Sequence, residues 1–195
     1  VKGRGMEKAD LISFEKEIKD IFLDGQIKAP IHLSGGNEDQ LINIFKFVKE
    51  ADWVLSTHRS HYHALLKGIP KEWIKAEIIK GNSIHLENKE YKFFTSAIVG
   101  GICPIALGVA MTGQKCWVFV GDMTSRTGIF DECQRYAQSH TLPITFVAED
   151  NSMSVDTPTK KAWGCSVGRT APNVKVYHYD RTYPHQGTNK GWVSF

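Results

Sequence analysis

Two short polar segments in this 195-residue sequence carry oxygen donors of the kind a small hard cation takes. Gly121-Asp122-Met123 follows an apolar run at residues 116–120, and Glu149-Asp150-Asn151 follows a second apolar run at residues 142–148. If the two runs are neighbouring parallel strands, Asp122 and Asn151 meet at their carboxyl ends, one strand spacing of about 4.8 Å apart. Mg²⁺ takes one or two carboxylates and leaves its other positions to phosphates and water. The backbone carbonyl of Met153 is a further oxygen donor, and Gly121 lets the backbone come close to a diphosphate. Asp and Asn are also ordinary turn residues, so the pair alone is as readily structural as ligating. A second polar cluster, Ser56-Thr57-His58-Arg59-Ser60-His61-Tyr62-His63, follows the apolar residues 53–55. Its three histidines are zinc ligands by type, but their spacing follows no regular helix face and no second ligand cluster accompanies them.

The elements that must position these residues read as an alternating pattern. Residues 116–120 and 142–148 are short apolar runs suited to strands buried on both faces. Between them, Ile129, Phe130, Cys133, Tyr136 and Ala137 fall at helical spacing over residues 128–140. Strand, helix and strand in that order make a right-handed crossover and a parallel pair. Upstream, Leu11, Ile12, Phe14, Ile18, Ile21 and Phe22 predict a helix over residues 8–24, with Gly25 as its stop. Asn37 is a candidate cap for a helix reaching about residue 51, and Pro70 opens another that runs to residue 80. Residues 96–111 are rich in Gly and Ala, which permits close approach of a ligand or a neighbouring element. The expected fold class is α/β, an open, mostly parallel sheet with helices on both faces. All 195 residues form a single domain, with a helical segment at about 8–50 and a short C-terminal tail at about 172–195.

Composition narrows the function classes. A net charge of +3 with scattered Lys residues gives no basic stripe, so nucleic acid is not an expected partner. No stretch has the roughly 20 apolar residues of a membrane span. Val1-Lys2-Gly3-Arg4-Gly5-Met6 is basic but leads into charged sequence, so a cytoplasmic protein is expected. Cys103, Cys116, Cys133 and Cys165 have neither zinc nor redox spacing and are expected to be reduced structural thiols.

With these segments in view, the sequence resembles the alpha subunit of thiamine-diphosphate-dependent 2-oxoacid dehydrogenases, the dehydrogenase E1 component family. Gly121-Asp122-Met123 and Asp150-Asn151 resemble the family's Gly-Asp-Gly and Asn-Asn, with Met123 and Asp150 as departures. Thr57-His58-Arg59-Ser60-His61 is similar to its Tyr-Arg-x-His loop, with His58 in the Tyr position. Ser83-Ile84-His85-Leu86, Ile98-Val99-Gly100 and the stretch from His32 to Glu38 each resemble a family segment, and Tyr183-Pro184-His185-Gln186-Gly187 resembles its His-rich loop more loosely. The resemblance implies thiamine diphosphate and Mg²⁺ as cofactors, with Asp122, Asn151 and the Met153 carbonyl on the metal. It implies that Arg59, His58, Gly121 and Met123 lie at the diphosphate and that Val99 meets the aminopyrimidine through its backbone. A guanidinium suits that role because its planar donors bind two oxygens at once. His61, His63 and His185 are candidates for proton transfer.

The same resemblance implies a small-molecule carbonyl substrate, a 2-oxo acid, and a beta-type partner holding the pyrimidine and the activating Glu. The assembly expected is α2β2, with the chain inactive alone. Two other readings stay open: the N-terminal half of a split transketolase-like enzyme, suggested by Ser154-Val155-Asp156 after Asn151, and a non-catalytic subunit that binds Mg-diphosphate for assembly.

Overall fold

A computed structural model describes residues 5–164 and 171–188. Cys165 and residues 1–4 of the basic N-terminal segment lie outside the described residues. The chain runs α1 (Lys8–Leu23), α2 (Glu38–Phe45), β1 (Trp53–Ser56), α3 (His61–Leu66), α4 (Lys71–Ile79), β2 (Glu87–Asn88), β3 (Phe93–Thr95) and α5 (Ile102–Met111). It continues through β4 (Cys116–Gly121), a 3-10 turn (Thr124–Arg126), α6 (Gly128–Ser139), β5 (Ile144–Asp150), the small strands β6 (Met153–Ser154) and β7 (Thr157–Pro158), α7 (Thr159–Trp163) and β8 (Val174–His178).

Six strands form one sheet in the order β2-β3-β1-β4-β5-β8. All neighbours are parallel except β2 with β3. Strand alternation divides the core into two layers. Trp117 and Phe119 of β4 pack with Leu11, Phe14, Tyr62 and Ile74 from the helices on one face. Cys116, Val118 and Val120 pack with Ile102, Ala106, Phe130 and Ala137 from α5 and α6 on the other. Helices therefore cover both faces, as expected, and β4 reads as continuously apolar because neither face meets water. Among the described residues no helix is long and apolar enough to cross a membrane.

The order of connections creates the crevice. From β1 the chain leaves to β3 on one side; from β3 it passes back through α5 to β4 on the other. Beyond the carboxyl ends of β1 and β4 the loops diverge, which is where open α/β sheets hold ligands.

Several expectations change. The helix expected to reach residue 51 ends at Phe45, and Asn37, at its start, makes no capping bond. Its Nδ2 donates instead to the Tyr177 hydroxyl at 3.1 Å. The residues expected as a short tail supply β8, in register with β5 from Phe146↔Val174 to Asp150↔His178. The chain then returns to the loop at residues 31–38: Gly187 N–H donates to Ile31 O at 2.8 Å and Thr182 N–H to Gly35 O at 3.1 Å. Gly36 makes this docking feasible. It has φ +101, and a Cβ there would lie 2.2 Å from the Asp180 carbonyl oxygen.

Gly36→Ala is therefore expected to lower stability by about 1–3 kcal/mol through strain and displaced backbone. Gly108→Ala, in α5 with nothing within 4 Å of the added Cβ, should leave stability equal or slightly higher. Thermal unfolding of the two variants checks the contrast.

Candidate functional site

A cavity of about 300 Å³ opens at the carboxyl ends of β1, β4 and β5. Gly121, Asp122 and Met123 line it from the end of β4, and Asn151 and Met153 from beyond β5. His58 and Arg59 enter from the end of β1, and Val99 from the segment after β3. His185 reaches it from the returning C-terminal segment. Nine of the sequence-derived candidates are thus brought to one space.

The two metal-ligand candidates line the same cavity because β4 and β5 pair through Gly121↔Glu149, which leaves Asp122 one residue and Asn151 two residues past the last pair. Asp122 is buried, and its Oδ2 accepts a short hydrogen bond from the Thr159 hydroxyl. Burial raises its pKa, while the Thr159 hydroxyl pulls in the opposite direction. Asn151 Oδ1 accepts from Met153 N–H at 3.0 Å, and its Nδ2 donates to the Tyr179 hydroxyl at 3.1 Å. The neighbouring Asp150 is turned aside: Oδ1 accepts from Ser152 N–H at 2.8 Å, and Oδ2 lies 3.4 Å from His178 Nδ1. Met123 lies beneath Trp163, whose indole Nε1–H points at the sulfur at 2.7 Å.

Positive charge lines the same cavity. Arg59 is only 8% exposed, and it donates to the carbonyls of Leu33 and His185, each at 2.9 Å. Among the described residues it has no carboxylate in salt-bridge range, and burial pulls its pKa down to about 10. Arg181, also on the cavity wall, makes no hydrogen bond or ion pair with a described residue. His32, His58 and His185 cluster beside Arg59, with ring centroids 4.5, 4.9 and 5.6 Å apart. Burial, and then the Arg59 charge, pushes His32 down to about 3 and His58 well below its usual value. Both are neutral at pH 7, and the buried His32 Nδ1 and His58 Nε2 have no hydrogen-bond partner.

The three rings offer ligand atoms within 4.8 Å of one another, a separation that would admit a metal. Two guanidiniums beside them oppose a dication and attract an anion, and the electrostatics decide for the anion. His58, His61 and His63, zinc ligands by type only, do not come together as a nitrogen set.

His61 and His63, expected to handle protons, stand behind the cavity wall. The chain turns into α3 at His61 and carries both rings into the core, fully buried. His61 Nε2 lies 2.9 Å from Ser83 Oγ, and burial drops its pKa to about 3. His63 Nε2 meets Glu149 Oε1 at 3.1 Å, with its ring against Phe119. Neither ring reaches a ligand in the cavity, so that expectation is corrected.

Thr159, Tyr179, Arg181 and Glu149 were missed. Glu149 sits immediately before Asp150-Asn151 and pairs with Gly121, so strand alternation puts its side chain on the face of Phe119 and Val147, where His63 meets it. Tyr179 and Arg181 carry no local signal, because only the pairing of β8 with β5 brings them to the cavity.

The family model for the dehydrogenase E1 component matches residues 7–176. The alpha subunit of acetoin:2,6-dichlorophenolindophenol oxidoreductase from Bacillus subtilis is 29% identical over 172 residues, covering 80% of this chain and 52% of that protein. A chloroplastic pyruvate dehydrogenase E1 component subunit alpha-3 from Arabidopsis thaliana is 30% identical, covering 73% of this chain and 39% of that protein. The pyruvate dehydrogenase E1 component subunit alpha of Rickettsia prowazekii is 28% identical, covering 93% of this chain and 58% of that protein. The chain spans about half the length of the curated relatives it matches.

The loop carrying His32 rests on Glu15, whose Oε1 accepts from Ser34 N–H at 2.8 Å, and burial raises its pKa from 4.5 to about 8. The folded chain holds this proton to higher pH than the unfolded chain does. The contribution to stability is complete below pH 4.5 and is lost as pH rises through about 8. Glu15→Gln keeps an acceptor for Ser34 and removes the titration. The stability of wild type relative to this variant should fall between pH 5 and pH 8, by a few kcal/mol at most. Urea midpoints across that range measure it. The opposite dependence from His32 and His61 is common to both proteins and cancels in the difference.

Proposed function

The chain belongs to the dehydrogenase E1 component family, and on that premise we propose that it binds thiamine diphosphate through Mg²⁺ as the cofactor-holding, alpha-type half of a two-part enzyme. The observation that carries the proposal is a single cavity lined by groups of opposite character. Asp122 and Asn151 present fixed oxygens to it, and Arg59 presents a buried, unpaired positive charge.

The residues present fit such a ligand. One carboxylate, one amide oxygen and the Met153 carbonyl are donors Mg²⁺ accepts while keeping positions for phosphate oxygens. Arg59 and Arg181 supply compensating charge for a diphosphate, and His32 Nδ1 and His58 Nε2 lack partners that phosphate oxygens would provide. A Cβ at Gly121 would meet no protein atom within 4 Å, so the missing side chain serves the cavity rather than internal packing.

Thiamine diphosphate, when bound, supplies the carbon nucleophile that attacks a carbonyl carbon. The chain's own part is to bind, orient and move protons. Val99, 63% exposed at the cavity rim, offers its backbone to the aminopyrimidine. Arg59 lies 3.3 Å from His185 Nδ1 and can only donate, so Nδ1 accepts and Nε2 carries the hydrogen. His185 is half-buried with a lowered pKa, a neutral donor at the mouth, and it alone of the three histidines expected to move protons is placed to do so. The beta-type partner would supply the pyrimidine-side carboxylate in an α2β2 assembly. The substrate is a small carbonyl compound, a 2-oxo acid or a related acyloin, in keeping with relatives named for pyruvate and for acetoin.

Calorimetric titration of thiamine diphosphate with Mg²⁺, on the chain co-purified with its partner, tests the proposal. Wild type should bind only with the metal, and Asp122→Ala should bind on the order of a hundredfold more weakly, roughly 2.7 kcal/mol. Equal binding by both proteins, or none by wild type, would overturn it.

A further inference from the structure

Each of the two proposed side-chain ligands of the metal is held by a hydroxyl from further along the chain. Thr159 opens α7, is 1% exposed, and donates its hydroxyl hydrogen to Asp122 Oδ2. Its own backbone N–H donates to Ser152 O at 2.9 Å, in the loop that follows Asn151. That loop is tightly wound: Ser152 has φ 59 and Val155 φ 54, and β6 and β7 close it as an antiparallel pair. Thr159 thus joins the metal-side loop of β5 to the carboxylate of β4. Tyr179 is also buried, and its backbone N–H donates to Asp150 O at 2.9 Å. Its hydroxyl accepts from Asn151 Nδ2, which turns the amide oxygen away from the tyrosine and toward Met153 N–H.

We infer that Thr159 and Tyr179 are positioning residues for the metal, acting through Asp122 and Asn151, and that Thr159 makes the site selective for Mg²⁺ over Ca²⁺. The inference rests on the Mg²⁺ site proposed above. Mg²⁺ demands near-ideal octahedral geometry at about 2.0–2.1 Å, whereas Ca²⁺ takes six to eight oxygens at about 2.3–2.6 Å and readily accepts a carboxylate through both oxygens. With Oδ2 engaged by the Thr159 hydroxyl, binding of a cation through Oδ1 alone is favoured over binding through both oxygens. One-oxygen binding suits the smaller ion. Removing the hydroxyl frees Oδ2, permits two-oxygen binding, and loosens the carboxylate that Mg²⁺ needs fixed. Tyr179 works on the other ligand: without its hydroxyl the Asn151 amide loses the contact that sets which end faces the metal.

The test measures Mg²⁺ and Ca²⁺ dissociation constants at saturating thiamine diphosphate, by calorimetry on the partner complex, for wild type, Thr159→Val, Thr159→Ser and Tyr179→Phe. Thermal unfolding of each complex runs alongside. Thr159→Val should weaken Mg²⁺ about tenfold, as loss of a ligand-orienting contact does, and weaken Ca²⁺ little or not at all, so the preference narrows. Thr159→Ser should restore the wild-type ratio, and Tyr179→Phe should weaken Mg²⁺. Equal weakening of both cations in Thr159→Val would make Thr159 merely structural and overturn the selectivity. An unchanged Mg²⁺ constant in both Thr159→Val and Tyr179→Phe would overturn the positioning role. Should Thr159→Val not fold, Thr159→Ser with the valine-like ratio, or Tyr179→Phe with wild-type affinity, would overturn it as well. A wild type that binds neither cation with the cofactor would remove the metal site itself, and this inference with it.

Discussion

Arg59 is a full positive charge placed almost out of reach of water. Taking such a charge from solvent costs several kcal/mol unless hydrogen bonds and opposite charge repay it. Here the hydrogen bonds come from two carbonyls, those of Leu33 and His185, and from His185 Nδ1, and the opposite charge is not supplied by any described carboxylate in contact. Three parts of the chain must therefore be held in place around one guanidinium: the end of β1, the loop at residues 31–38, and the returning segment at residues 180–187. The histidines beside it are neutral because burial and the Arg59 charge both disfavour a second cation. An anion is what this arrangement lacks, and the cavity in front of it is where an anion can go.

Much of the surrounding polar core serves to hold that arrangement. Glu15 supports Ser34, and Glu38 accepts from the Tyr62 hydroxyl at 3.0 Å and from Gly36 N–H at 2.9 Å, so two carboxyls under the loop fix its backbone without pairing with Arg59. On the far side, Glu149 takes hydrogen bonds from His63 and Tyr177, tying α3 and β8 to β5. This is what His63 does in place of proton transfer: it keeps a buried carboxylate on the cavity wall in a single orientation. His61, between Ser83 and the Glu15 carboxyl, belongs to the same supporting layer.

The parallel pair β4–β5 and its crossover helix were legible because three signals agree there: two apolar runs of strand length, a helical period between them, and polar residues at both carboxyl ends. Agreement of that kind located Asp122 and Asn151 without any tertiary information. The failures share a different cause. Short strands such as β2 and β3 are defined by their partners rather than by their own residues, and β8, with exposed Lys175 and Val176 at an edge, has no buried alternation to announce it. His61 and His63 were misplaced because residue type suggests chemistry while only the turn into α3 decides which way a ring points. Tyr179 and Arg181 reach the cavity, and Thr159 reaches Asp122 beside it, from positions distant in sequence, and no local pattern encodes such a contact.

The cavity and its rim differ in character. The polar groups lining the cavity are carboxylate and amide oxygens, guanidiniums and histidines. The rim is apolar and turned outward, with Ile98 73% and Val99 63% exposed. Scattered exposed apolar residues need no explanation, but two adjacent ones at the mouth of a polar cavity are better placed to meet another surface than water. Gly100, with φ +73, follows this rim just before α5, where a Cβ would lie 2.4 Å from Ile129 Cγ2, so only glycine fits beside Val99.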